Sequence, residues 1–328
     1  MIISQTPFRI SFFGGGTDYP AWYREEEGAV LSTSIDKYCY INCRRLPGFF
    51  DYKIRVVYTK TELVKTVEEI KHPAVRKSLK FMGIDKDLEI THAADLPART
   101  GLGASSSFIV GLLNALHVLK GKHVNPYELA ENAIRIEQEC IGEAVGSQDQ
   151  IAAAFGGLNR IDFFDNSFKV IPLDIPPERV ATLESHLLLY FTGIFRNAPE
   201  IAIEQIKHIN DHKTALREMR SMVDSAVKLL KGNGALEEFG EMLHEAWMIK
   251  RSLSDRITNT AIDSIYSAAR SAGAIGGKLL GAGGGGFMLL FVPPERHYSV
   301  RERLEKLFKV PFRFENGGSQ IIFRNSVL

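Results

Sequence analysis

The stretch from Asp95 to Ser107 constrains the fold more than any other part of the chain. It reads DLPARTGLGASSS and runs directly into the apolar pattern FIVGLLNALHVL, which is typical of a buried helix. Its glycines permit positive φ and let a ligand approach the backbone closely. Because a helix begins just after them, several backbone N–H groups point the same way without intrahelical partners. These residues predict an anion site at a helix N-terminus.

The serines of this stretch leave its role open from the residues alone. They are able to bond phosphate oxygens, ligate Mg²⁺ or simply cap the helix after a flexible loop. A Walker A loop is excluded, because no Gly-Lys-Ser/Thr follows the glycines.

A second glycine-rich stretch, Gly281 to Gly286, reads GAGGGG and formally satisfies G-x-G-x-x-G. In a dinucleotide-binding fold that sequence follows a strand and opens a helix, whereas here a helical pattern precedes it and FMLLFV follows. A Rossmann site is therefore not expected. Four consecutive glycines lose considerable backbone entropy on folding, which favours backbone lying against a ligand over a merely flexible turn.

The third stretch is a glycine triplet near the N-terminus, followed by Thr17 and Asp18 and preceded five residues earlier by Arg9. Two interpretations stay open. The triplet is either a sharp turn that ends in an aspartate, or a turn whose backbone and Asp18 lie beside a polyol substrate.

Carboxylates lie between the first two glycine stretches. Glu137 and Glu139 end a predicted helix over 126–140, where acidic side chains oppose the helix dipole. A bound cation would remove that conflict, and a solvated helix end would tolerate it. Asp149 stands in GSQDQ before the apolar run IAAAFGG, so it either caps a short helix or takes part in chemistry.

Composition excludes several classes of protein. The chain has 328 residues with 40 Lys+Arg and 39 Asp+Glu, a net charge of +1 that gives no electrostatic footprint for nucleic acid or an anionic membrane. No segment reaches about 18 consecutive apolar residues, and the N-terminus has no signal-peptide pattern, so neither a membrane span nor secretion is expected. Three cysteines are too few for a disulfide framework, which predicts a reducing, cytoplasmic location.

The order of predicted elements indicates an α+β protein of two domains. Strands are predicted over 1–13, 29–45, 52–59 and 87–94, and a helix-prone stretch over 61–81. Asn125 before Pro126 is a helix start, 176–186 reads as a connector, and one long helix is predicted over 199–230. Strands dominate the first half and helices the second.

Together and in this order, the three glycine stretches resemble the motifs of the GHMP kinases, the family of galactokinase, homoserine kinase and mevalonate kinase. The matching segments are Pro7 to Asp18, Leu96 to Ser107 and Lys278 to Gly286. The resemblance implies a two-domain GHMP kinase fold. Residues 1–175 would form an N-terminal ribosomal-protein-like β-α domain that binds ATP, and 176–328 a C-terminal ferredoxin-like domain. ATP and Mg²⁺ would bind in the cleft between them.

The resemblance also implies roles for individual residues. Asp149 would be the base that takes the proton of the substrate hydroxyl, with Arg9 beside it and the transferred phosphoryl. Ser105 and Glu137 would hold Mg²⁺. The remaining predicted contacts with ATP are Pro97, Thr100, Gly101, Leu102, Gly103, Ala104, Ser106 and Ser107, and those with substrate are Gly15, Gly16, Thr17, Asp18, Gly283 and Gly284.

The glycine triplet departs from the galactokinase pattern, which has Gly-Glu-His-Thr-Asp at this place. Loss of the Glu and His removes a sugar-binding carboxylate and adds space. The sequence TPFRISFFGGGTD resembles that of bacterial heptose 7-phosphate kinases. This implies a small-molecule sugar phosphate as partner, phosphorylated on its anomeric hydroxyl to a 1,7-bisphosphate, with Arg196 and Asn197 as candidates for its own phosphate.

The sequence leaves other functions open. A family kinase for an unphosphorylated sugar such as fucose or galactose, or for a mevalonate-type acid, would have the same motifs. A catalytically silent regulator on this fold is a third option, which intact Arg9 and Asp149 disfavour. The oligomeric state stays open, with a homodimer as one option.

Overall fold

The computed structural model describes residues 1–98, 100–165, 167–195 and 198–325. The strands found there are β1 (Ile2–Phe13), β2 (Gly28–Arg45), β3 (Ile54–Val57), β4 (Thr61–Val64), β5 (Leu88–Ala94), β6 (Leu158–Phe164), β7 (Ser167–Pro172), β8 (Leu187–Phe191), β9 (Gly276–Leu279), β10 (Phe287–Phe291), β11 (Phe308–Val310), β12 (Phe314–Glu315) and β13 (Gln320–Arg324).

The α-helices of the same residues alternate with these strands unevenly, most of them lying in the second half of the chain. They are α1 (Pro20–Tyr23), α2 (Pro73–Met82), α3 (Ala104–Leu119), α4 (Pro126–Arg135), α5 (Gln148–Phe155), α6 (Pro177–Ser185), α7 (Ala198–Lys207), α8 (Lys213–Lys231), α9 (Glu237–Ser252), α10 (Thr260–Ser271) and α11 (His297–Arg303).

The larger sheet runs in the order β13-β1-β2-β5-β3-β4, with β12, β6 and β7 joined along β2. Its strand β1 is buried along most of its length because both of its faces are covered. Helices α3 and α5 pack on β1, and α8 from the second half of the chain packs on it as well. Phe8, Ile10 and Phe12 are each at most 1% exposed. Burial on both sides also encloses polar residues of this strand, among them Arg9.

The smaller sheet has the antiparallel order β11-β8-β10-β9. In chain order this is strand four, one, three, two, with helices between the first and second strands and between the third and fourth. That is the ferredoxin-like arrangement. The predicted α+β fold with a ferredoxin-like arrangement in its C-terminal part is therefore confirmed.

Three predicted elements differ in the structure. Residues 61–81, predicted helical, contain strand β4 before α2 begins at Pro73. The stretch forms a hairpin in which Thr61 to Val64 pairs with β3 through the backbone. The predicted connector 176–186 is mostly helix α6, and the predicted helix 199–230 is two helices, α7 and α8.

The end of the chain returns to the first sheet. Strand β13 pairs with β1, and β12 pairs with β2. The segment between them lies against α5, where Ser319 N–H donates to Ala153 O at 2.9 Å. A Cβ on Gly318 would lie 2.0 Å from Ala154 O, so only glycine fits there. The division into 1–175 and 176–328 stays a prediction, and the last two strands of the second part pair with the first sheet.

The cysteines are free. Cys39 and Cys43 are buried on β2, where burial raises the pKa of both thiols, and Cys140 is partly exposed. None of the helices in the described part of the chain combines the length and apolar character needed to cross a bilayer.

Candidate functional site

An ion pair between β1 and α5 lies at the centre of the site. Arg9 donates from Nε to Asp149 Oδ1 at 2.7 Å, and its Nη2 lies 2.7 Å from the same oxygen. Its Nη1 donates to Gly101 O at 2.7 Å. The Arg9 side chain is 5% exposed, whereas that of Asp149 is 27% exposed. Arginine thus holds one carboxylate oxygen and leaves Oδ2 for a further partner.

The glycine loop lies directly beside this pair. A Cβ on Gly103 would lie 3.4 Å from both Asp149 Oδ2 and Arg9 Cγ. Gly103 has φ +78° and is the N-cap of α3, so no side chain caps that helix. The first N–H groups of α3 therefore face the same space as Asp149, which is the geometry of an anion site. Gly103 and Asp149 are almost fifty residues apart in the sequence, and the fold brings them into proximity.

The predicted nucleotide-binding residues divide into an accessible and a buried set. Thr100 donates to Pro97 O at 2.7 Å, Ser107 donates to Pro7 O at 2.9 Å, and Leu102 O accepts from Arg9 N–H. All three are at most 1% exposed, so their side chains support the loop. The residues that remain partly or fully accessible are Pro97, Gly101, Gly103, Ala104 and Ser105.

Glu137 lies behind the loop at the start of a π-helical turn, Ile136–Ile141, that continues α4. A π-turn changes the direction of its side chains and is frequent at functional sites. Here it turns Glu137 toward the first turn of α3, where Ser106 donates to Oε2 at 2.7 Å and Gln150 donates to the same oxygen. Burial raises the pKa of Glu137 to about 7, opposed by hydrogen bonds from Ser106, Gln150 and Ser105.

The surroundings of Glu137 fit a Mg²⁺ ion. Its second oxygen, Oε1, is buried and has no hydrogen-bond partner among the described residues. An unpaired buried carboxylate oxygen is costly unless a cation or donor satisfies it. Ser105, which is exposed at the loop, lies on the same side as this carboxylate. A carboxylate and a hydroxyl are oxygen ligands of the kind that Mg²⁺ prefers.

The residues of the glycine turn after β1 differ in their exposure. Gly15 and Gly16 are partly exposed, whereas Thr17 and Asp18 are 0% and 3% exposed. The Thr17 hydroxyl donates to Gly14 O at 2.8 Å, and Asp18 accepts from Gly16 N–H at 2.9 Å. Burial raises the pKa of Asp18, and the nearby Asp149 adds to that rise. The polar groups of Thr17 and Asp18 thus hold the turn, and the substrate contacts predicted for these two residues stay predictions.

The third glycine stretch packs against protein backbone. Gly286 has φ +99°, and a Cβ there would lie 2.1 Å from Thr100 O. A Cβ on Gly283 would lie 2.7 Å from Ile257 Cα, and Gly284 N–H donates to Ile257 O at 2.8 Å. The glycine loops of the two halves thus touch each other directly. The predicted substrate contacts of the buried Gly283 and the partly exposed Gly284 stay predictions.

Residues that the sequence did not single out complete the site. Lys278 is 3% exposed and donates from Nζ to Phe12 O at 2.7 Å, which joins β9 to the end of β1. Burial, together with the nearby positive charge of Arg9, lowers the pKa of Lys278 to about 7. Gly146 packs closely against Asp18, because a Cβ at this position would lie 1.9 Å from Asp18 Oδ2. A lysine within an otherwise apolar, glycine-rich motif was the signal available for Lys278.

Arg196 and Asn197, considered for the substrate's own phosphate, lie outside the described residues.

Comparisons with known proteins agree with this geometry. The model of the GHMP kinases N terminal domain matches residues 62–157, and that of the GHMP kinases C terminal domain matches 202–310. A D-glycero-alpha-D-manno-heptose 7-phosphate kinase of Campylobacter jejuni is 32% identical over 320 residues, 93% of each chain.

Solved structures resemble the chain over nearly its whole length. A D-glycero-D-manno-heptose 1-phosphate kinase from Bacteroides thetaiotaomicron superposes with a TM-score of 0.80 at 26% identity, covering 99% of this chain and 100% of that one. A Streptococcus pneumoniae phosphomevalonate kinase, at 16% identity and a TM-score of 0.76, shows the same fold over 96% of this chain and 100% of its own.

The two sheets and the loop-to-carboxylate geometry thus define a phosphotransferase that acts on small molecules. The chain belongs to the GHMP kinase family, and it is an ATP-dependent kinase.

Proposed function

We propose that the chain transfers the γ-phosphoryl group of ATP to the anomeric hydroxyl of a heptose phosphate, with D-glycero-D-manno-heptose 7-phosphate as the substrate and the 1,7-bisphosphate as the product. The observation that carries the proposal is the Arg9–Asp149 pair. It fixes a partly exposed carboxylate beside the N-terminus of α3, in an otherwise buried setting.

The chemistry follows from which oxygen is left available. Arg9 engages Asp149 Oδ1, so Oδ2 accepts the proton of the substrate hydroxyl. The hydroxyl oxygen forms a bond to the γ-phosphorus, the bond between that phosphorus and the β–γ bridging oxygen breaks, and ADP leaves. Phosphoryl transfer depends mostly on positioning and charge stabilisation, and Arg9 supplies both at this point.

The donor is held by the loop and the first turn of α3. Uncapped N–H groups after Gly103 bind phosphate oxygens, favoured by the helix dipole. Ser105 and Glu137 would hold Mg²⁺, which neutralises charge on the β- and γ-phosphates when bound.

The substrate assignment rests on the glycine turn and on the relatives. Gly15 and Gly16 present backbone and space where a galactokinase would place charged side chains. The two relatives that act on a heptose differ in their names, since one is a 7-phosphate kinase and the other a 1-phosphate kinase. Both names specify a heptose monophosphate. They differ in the carbon that carries the phosphate, so the experiment below tests which carbon of the substrate is already phosphorylated.

A panel of acceptors tests the proposal. Purified protein with Mg²⁺-ATP is offered heptose 7-phosphate, heptose 1-phosphate, fucose, galactose and mevalonate, and ³¹P NMR identifies the phosphorylated carbon. We expect turnover on heptose 7-phosphate and a new anomeric phosphate signal. Faster turnover on an unphosphorylated sugar or on mevalonate would overturn the heptose assignment, while ATP binding without turnover on any acceptor would indicate a regulator.

A further inference from the structure

The start of helix α5, which carries Asp149 in its first turn, lacks a side-chain cap. Ser147 is the N-cap residue, and its hydroxyl makes no hydrogen bond to the N–H groups of the helix. Helix ends fray, and a side-chain cap is the ordinary means of fixing them. Arg9 holds the carboxylate of Asp149, but the position of the helix start depends on how the backbone before it is held.

Gln138 holds this part of the backbone. Its Nε2 donates to Val145 O at 3.1 Å and to Ser147 Oγ at 3.0 Å. A backbone carbonyl only accepts, so the amide is fixed with its nitrogen toward the segment before α5. Residues 142–147 form no helix or strand, and the side chain of Gln138 spans them from one end to the other.

Ser147 connects the same segment to two further parts of the fold. Its Oγ lies 3.0 Å from the hydroxyl of Tyr23 in α1, and its N–H donates to Asp18 O at 2.9 Å. Ser147 is 2% exposed and Tyr23 is 8% exposed, so these contacts lie in the interior. Gln138 is partly exposed, so its side chain can be changed with less disturbance of the interior.

The π-helical turn and α5 are also joined in the reverse direction. Gln150, the residue after Asp149, is 0% exposed and donates from α5 to Glu137 Oε2 in that turn. Gln138 is the neighbour of Glu137 and donates from the turn to the start of α5. Asp149 therefore lies between two amide contacts that connect the same two elements, one before it and one after it.

We propose that Gln138 is a positioning residue, which holds the start of α5 so that Asp149 faces the reacting hydroxyl of the substrate. The inference rests on the proposed role of Asp149 as the base and deepens it. Gln138 acts through Ser147, two residues before Asp149, and needs no contact with either substrate. Misplacing a reacting group by about 1 Å is able to cost on the order of 10²-fold in rate, so a loose helix start is a kinetic defect.

The proposal is tested with Gln138→Ala and Ser147→Ala in the full chain. Glu139→Ala is the matched control, because it removes the next side chain of the same turn. Glu139 is exposed, and its ion pair with Arg135, at 3.3 Å, lies on the surface. For each protein we measure kcat, KM for ATP, KM for heptose 7-phosphate and the midpoint of thermal unfolding.

We expect Gln138→Ala to lower kcat by roughly tenfold with both KM values unchanged, since the lost hydrogen bonds orient the base and not the ligands. Ser147→Ala lowers kcat by a similar factor. The double variant is no slower than the slower single variant, because both changes remove the same contact. Glu139→Ala keeps the wild-type kcat and both KM values.

A second background separates positioning from a general structural role. In Asp149→Asn the side chain that Gln138 positions no longer accepts a proton. Adding Gln138→Ala to Asp149→Asn therefore lowers kcat no further. A residue that only supports the fold would lower kcat by the same factor in both backgrounds.

The outcomes distinguish this inference from the proposed function. If wild type turns over heptose 7-phosphate and Gln138→Ala keeps the wild-type kcat, the positioning role is wrong and the proposed function stands. If Gln138→Ala lowers kcat equally with and without Asp149, or raises both KM values instead, the positioning role is also wrong. If Asp149→Asn turns over like wild type, the base and its positioning residue fall together.

Discussion

The glycines on the two sides of the site have different structural roles. Around Gly15 and Gly103 they leave space and backbone N–H groups accessible beside Asp149. Around Gly283 and Gly286 they let backbone lie against backbone, at distances where any Cβ would collide with Ile257 or Thr100. A glycine-rich sequence has the same entropic cost in both places, so the composition alone does not tell a ligand-binding loop from a packing loop.

Asp149→Asn gives the largest expected effect and tests the accessible side. The amide keeps the hydrogen bond to Arg9 but does not accept the substrate proton, so kcat falls by about 10²–10⁴-fold. ATP affinity, measured by calorimetry, stays near the wild-type value. Turnover close to that of wild type would remove Asp149 from the chemistry.

Gly286→Ala tests the packing side. The added Cβ meets Thr100 O and the backbone keeps a φ near +99°, so the free energy of unfolding falls by about 3 kcal/mol or more. Gly103→Ala is the matched variant, since its Cβ meets side-chain atoms no closer than 3.4 Å. It costs about 1–2 kcal/mol from positive φ alone and mainly raises KM for ATP. Equal losses of stability in urea denaturation would contradict the comparison.

Lys278 joins the two sides, and its burial predicts a dependence on pH. Its pKa in the folded protein, about 7, is below the ordinary value of 10.5. Between these values the unfolded chain binds the proton and the folded protein does not, so the free energy of unfolding rises with pH, by on the order of 1.4 kcal/mol per pH unit. Lys278→Met removes this contribution.

The measurement is urea unfolding of wild type and Lys278→Met from pH 7 to pH 10. We expect wild type to gain stability relative to the variant across this range. A constant difference between the two proteins would show that Lys278 keeps its charge when buried.

Ser105→Ala and Ser106→Ala give the smallest expected effects and compare neighbours within the loop. Ser105 is exposed, so its loss weakens use of Mg²⁺-ATP by roughly tenfold with little change in stability. Ser106 is buried and donates to Glu137, so its loss lowers stability by about 1–2 kcal/mol. The Mg²⁺ dependence of kcat/KM measures the effect of Ser105→Ala, and thermal unfolding measures the effect of Ser106→Ala. Unchanged metal dependence in Ser105→Ala would make its assignment as a ligand wrong.

Local signals in the sequence predicted most of the fold. Asn125 accepts from Glu128 N–H at 2.9 Å as a helix cap should, and the strands of β1, β2 and β5 follow their content of Val, Ile and Tyr. Elements that depend on distant partners were missed. Strand β4 forms by backbone pairing with β3, and β12 and β13 pair with strands about three hundred residues away.

The residues of the site also divide into those that the sequence predicted and those that it did not. Arg9, Asp149 and the glycine loop were predicted through the resemblance, and the fold brings them together. The inward orientation of Thr17 and Asp18 was not predictable, because a turn does not reveal which of its residues faces the interior. Nor was the unpaired Oε1 of Glu137, since pairing is a property of the folded surroundings and not of a residue type.

A crystal structure with heptose 7-phosphate and a non-hydrolysable Mg²⁺-ATP analogue tests the central claim most directly. The account predicts that Asp149 Oδ2 lies within about 2.6–3.2 Å of the anomeric oxygen, with the triphosphate along the N-terminus of α3. A sugar whose anomeric carbon points away from Asp149, or a triphosphate bound elsewhere, would contradict it.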